Sequence, residues 1–161
     1  MIDFRSLDAL ERAYQLENST IIRYLLDNGV VQVRDDFDRK VRSFFSDWYR
    51  ANDNNRLAFY DLLQEEGRHP GTAGFPLNYT EFHYLNAAYL LSPVQRLMRE
   101  SFDSVSAVAA ELTDWPRAKE LVQAIVEREK PFLDRAAQLA AEHAAASAET
   151  PKIKGTSASR W

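Results

Sequence analysis

The chain contains no cysteine, which excludes a disulfide framework, a thiol nucleophile, an iron–sulfur cluster and a thiolate zinc site. Glycine is scarce as well, with five in 161 residues. Apolar residues recur at steps of three and four instead of alternating, so a sheet has little to build on and an all-α fold is expected. No stretch approaches the length of a membrane span. The start "MIDFRSLDAL" places Asp3 and Asp8 where a secretory signal needs a basic region and then a long apolar run. Basic surplus is also missing: the net charge is −4, and lysines and arginines are mixed with acids throughout, which argues against a nucleic-acid partner. There is no glycine-rich phosphate loop, nucleophile elbow or Ser/His/Asp pattern. These absences describe a soluble cytoplasmic protein with neither nucleic acid nor membrane as partner.

What is present is a series of long amphipathic segments. The first helix is expected from about Ser6 to Asn28, with Gly29 as its stop. The second should start at Asp35 or Asp36, whose side chains can accept from free amide groups, and run to Glu66 before Gly67. "GRHPGTAGFPL", 67–77, is a connection. The third helix is expected to open at "NYTE", with Asn78 and Glu81 as a capping pair, and to be kinked or broken at "SPVQ", where Pro93 removes a donor. Asp114 and Pro116 mark the start of the fourth, which Pro131 should bend. The domain spans 1–143; from Ala144 to Trp161 small and polar residues predict a disordered tail.

Two glutamates interrupt the apolar stripes. Glu17 follows Leu7, Leu10 and Tyr14 and precedes Ile21 and Tyr24 on one helical face, and Glu129 holds the same kind of place between Ile125 and Phe132. A charge buried there needs compensation, by a metal or by a cation of the protein. The three histidines are scattered: His69 in the loop, His83 near the start of the third helix, His143 near the end of the fourth. Their separation does not suggest one site. The aromatic set of the second and third helices is expected to be core.

Four long helices with inward glutamates from the first and last resemble the ferritin-like superfamily, rubrerythrin-type proteins in particular, over roughly residues 7–143. "YQLENSTIIRYLL" looks like its first helix, with Glu17 at the ligand position. "DNNRLAFYDLLQEEGRHPG", 53–71, is similar to its second-helix Glu-x-x-His pattern, with Asp53 and Arg56 in those places, or less well Asn52 and Asn55. "AIVEREKPFLDRAAQLA", 124–140, is similar to the other such helix, with Glu129 kept and Phe132 where histidine would fall. Glu100 is the loose counterpart on the third helix.

The resemblance implies a four-helix bundle with a degenerate diiron site. Both histidines of the pattern are missing, and an arginine carries a permanent positive charge. Arg56 is therefore expected to turn inward and neutralise Glu17, Glu129 and Asp53 in a buried polar cluster without a cofactor. The function this implies is a non-catalytic binding or structural protein, a homodimer. One alternative is a diiron or other metal-binding oxidoreductase or iron-handling protein, holding iron or manganese at Glu17, Asp53, Glu100 and Glu129. A further alternative is a bundle that binds a small molecule of unknown identity near the proline sites.

Overall fold

The computed structural model describes residues 1–149 as an all-α protein. Its helices are α1 (Phe4–Asn18), α2 (Ile21–Asp27), α3 (Asp36–Glu65), α4 (Ala87–Val108) and α5 (Pro116–Glu149), with short 3-10 turns at Leu77–Phe82 and Ala109–Glu111. Among the described residues no helix is long and apolar enough to cross a membrane. Side-chain caps set several of the starts. The Asp3 side chain accepts from the Arg5 amide to open α1, Asp35 accepts from the Asp38 amide at 2.7 Å to open α3, and Pro116 opens α5 at the first position, where its missing N–H costs nothing. Gly29 and Gly67 follow α2 and α3 with φ of 62° and 74°, the left-handed conformation that a side chain resists.

Three expectations are corrected. The first predicted helix is two: Ser19 leaves helical geometry and Thr20 caps a new helix, so the apolar stripe continues across a break in the backbone. The capping pair Asn78 and Glu81 yields only a 3-10 turn, and α4 starts at Ala87, where an isolated parallel bridge joins Gln32 to Asn86. The Ala87 amide donates to the Gln32 carbonyl at 2.8 Å. Third, of the kink or break expected at Ser92–Pro93, the break does not occur, since α4 runs through Pro93. Residues 144–149, expected in the tail, complete α5; the rest of that tail, 150–161, lies outside the described residues.

The core divides into two apolar clusters. One joins α2, the first half of α3, the first half of α4 and the end of α5 around Phe45, Trp48, Leu91 and Leu133. The other joins α1, the second half of α3, the end of α4 and the start of α5 around Leu10, Phe59, Val105 and Ile125. Three chain segments change cluster across buried polar residues: Glu17, Asn18 and Thr20 where α1 gives way to α2, Asn52 and Asn55 on α3, and Glu129 on α5. This polar layer is the feature that apolar packing leaves to be explained.

Candidate functional site

Glu17 is 5% exposed and Glu129 is 4% exposed. Two unsatisfied carboxyl groups at such depth would cost several kcal/mol each. Amide, hydroxyl and indole groups supply the compensation. The Asn52 side-chain amide donates to Glu17 Oε2. Its carbonyl oxygen accepts from the Thr20 hydroxyl at 3.0 Å, which orients the NH2 toward the carboxyl group. Asn55 Nδ2 donates to Glu129 Oε1 at 3.2 Å and also favours the charged form of Glu17. Trp48 Nε1 donates to Glu129 Oε2 at 2.9 Å. Asn52 and Asn55 are three apart on α3 and so share a face, which lets one helix serve carboxyl groups brought by α1 and α5.

These donors do not offset the burial fully. Desolvation, followed by the nearby Glu129 charge, pushes the Glu17 pKa up to about 8, against smaller opposing effects of Asn52, Asn55 and Arg23. Burial likewise raises Glu129, opposed by the bonds from Trp48 and Asn55. Glu17 therefore keeps its proton at neutral pH, and the layer carries less negative charge than two carboxylates would.

Arg56 is not part of the layer, which corrects the expectation that it neutralises Glu17 and Glu129. Its Nε and Nη2 donate to Asp53 Oδ1 at 3.1 and 2.9 Å. Arg23 Nη1 donates to the same oxygen at 2.8 Å, while its Cζ lies 5.3 Å over the Tyr49 ring and its Nη2 is 3.8 Å from Asp27. Burial alone would raise Asp53, but the hydrogen bonds from Arg56 and Arg23 hold it below the usual carboxylate value. The reason differs for the two: Asp53 lies about 100° around α3 from Asn52 and so faces away from the layer, whereas Arg56, only about 40° from Asn52, is drawn aside by its paired hydrogen bonds to Asp53. Glu100, the fourth ligand expected of a metal site, is exposed on α4 and pairs with Arg96 at 3.6 Å. Phe132, where a histidine would fall, stacks on Trp48 with ring centroids 5.9 Å apart.

The histidines stay in separate places: His69 in the 67–77 connection, His83 bonded to the Tyr24 hydroxyl, and His143 stacked on Phe37 at 5.6 Å. Among the described residues no group of three or more His, Cys, Asp or Glu side chains is placed to hold a metal ion. Thr20, Trp48 and Arg23 are the site residues that the sequence analysis missed. The signal for Thr20 was the "NST" start of a capped helix inside an unbroken apolar stripe; for Trp48 it was a buried aromatic with an N–H that needs an acceptor.

Thr20 couples the break in the helix to the layer. Thr20→Ala removes the cap that accepts from the Arg23 amide and the donor that orients Asn52, so a loss of about 1–3 kcal/mol in urea unfolding is expected, with Thr20→Ser retaining most of the stability. Comparison with known proteins finds no family model, no curated protein and no solved structure that matches the chain.

Proposed function

We propose that the chain is a ferritin-like four-helix bundle in which amides and a held proton replace the metal layer, and that it acts as a non-catalytic binding or structural protein, a cytoplasmic homodimer. One observation carries this reading. At the alternative register for the Glu-x-x-His pair, one residue before Asp53 and Arg56, α3 supplies Asn52 and Asn55, both with NH2 groups aimed at the carboxyl groups. An amide NH2 is a donor and not a ligand, so this set stabilises carboxyl groups and leaves a cation without electron pairs on that side. The helix α4 adds no carboxylate, because Glu100 is turned to solvent.

The diiron alternative needs Asp53 and Glu100 inside, and both amides turned round, that of Asn52 against the Thr20 hydroxyl. Metal analysis of the full chain, from cells grown with added iron and manganese and purified without chelators, tests the choice. Far less than one ion per chain is expected. About two ions per chain, the content of an intact dimetal bundle, overturns the proposal.

A further inference from the structure

A groove of about 360 Å³ runs between α3 and α5 on the outer side of Trp48. The half-buried rings of Phe44 and Phe132 and the exposed Pro131 give it an apolar wall, and Lys40 and Arg135 stand together at one end. Those two cations share a single carboxylate: Glu142 lies 3.0 Å from Lys40 Nζ and 3.7 Å from Arg135 Nη1. At the other end Asp47 is already taken by Arg50 at 2.8 Å. The groove thus combines an aromatic wall with a carboxylate-binding end.

We propose that this groove binds a small carboxylate with a flat aromatic body, its ring on Phe44 and Phe132 and its carboxylate between Lys40 and Arg135 in place of the Glu142 side chain. This goes beyond the function proposed above and does not depend on it, since it uses none of the residues of the buried layer. Glu142 is the internal precedent, because it shows that one carboxylate fits between both cations. It is also replaceable: the side chains of Lys40, Arg135 and Glu142 are 48%, 41% and 45% exposed, and pairs so open to water hold weakly. The wall favours an aromatic ring, because offset or edge packing on two phenylalanines adds to simple area burial. The volume, near the lower end of ligand sites, suits one ring with a short acid chain.

The binding has a built-in reporter. Trp48 stacks on Phe132 with an interplanar angle of 14°, and its indole N–H is held by Glu129. Titration of the ¹⁵N-labelled full chain with 4-phenylbutyrate should shift the Trp48 indole resonance in a saturable way. Binding should be at least about tenfold tighter than that of the neutral 4-phenylbutyramide and of octanoate. Glu142→Gln should tighten it several-fold by removing the internal competitor. Lys40→Ala combined with Arg135→Ala should weaken it about tenfold or more, with the urea midpoint held, since both residues are exposed. The absence of saturation, equal binding of the amide or of octanoate, or indifference to Glu142→Gln would each overturn the proposal.

Discussion

Trp48→Ala should be the most damaging single substitution in the chain, with a loss of about 4–8 kcal/mol. Trp48 is fully buried, and truncation of a large aromatic leaves a cavity worth about 3–5 kcal/mol. The same change removes the indole donor from Glu129, and an unpaired buried acceptor adds about 1–3 kcal/mol. A domain of this kind has about 5–15 kcal/mol in total, so the variant should be largely unfolded or have a greatly lowered urea midpoint by circular dichroism. Trp48→Phe separates the two contributions. It keeps most of the volume and the stacking on Phe132 but not the N–H, and should cost about 1–3 kcal/mol. If the phenylalanine variant matches the natural chain, the indole bond contributes nothing and the polar layer rests on the asparagines alone.

The helix boundaries that follow local rules were legible. Asp35, Pro116 and Gly67 act through their own side chains or backbone preferences, and each stands where the structure starts or stops an element. Boundaries set by distant contacts were not. Tyr79 is buried, and after it the Tyr84 amide donates to the Val30 carbonyl, the Gln32 amide to the Leu85 carbonyl and the Ala87 amide to the Gln32 carbonyl, which keeps Asn86 extended and delays α4 beyond its apparent cap. At Pro93 the lost bond and ring clash cost about 3 kcal/mol. Leu90, Leu91, Val94, Leu97 and Met98 are all buried on that helix, and at about 1.5–3 kcal/mol each they outweigh it.

The site was half legible for a related reason. A glutamate on an apolar stripe is visible in any sequence, and both Glu17 and Glu129 are in the layer. Which residues of α3 meet them depends on about 100° of helix rotation, the difference between Asn52 and Asp53. Composition cannot fix that angle. The charge state was equally hidden, because a buried carboxyl group can be offset by a metal, by a cation or by retention of its own proton, and only the surrounding donors and their distances decide among these.

The proton held by Glu17 makes stability fall as pH rises across the neutral range. Its pKa is about 8 in the folded chain, against 4.5 for an unperturbed glutamate. Between those two values the folded state binds a proton that the unfolded state has released, so stability is fully present below about pH 4.5 and is lost as pH rises through 8. The slope is at most about 1.4 kcal/mol per pH unit, and the total on the order of 5 kcal/mol. Asp53 has the opposite sign: its pKa is lowered by its arginine bonds, so its contribution is present above the usual carboxylate value and lost at lower pH. Glu129, raised by burial, acts in the same direction as Glu17, so the buried layer stabilises the chain more at acid than at alkaline pH. Urea unfolding at several values between about pH 5 and pH 9 measures this directly. Glu17→Gln removes the titrating group at little change in shape, so it should flatten the alkaline decline and exceed the natural chain in stability above about pH 8. A natural chain whose stability is level from pH 5 to pH 9 would mean that Glu17 ionises like a surface glutamate, and that some other cation reaches the layer.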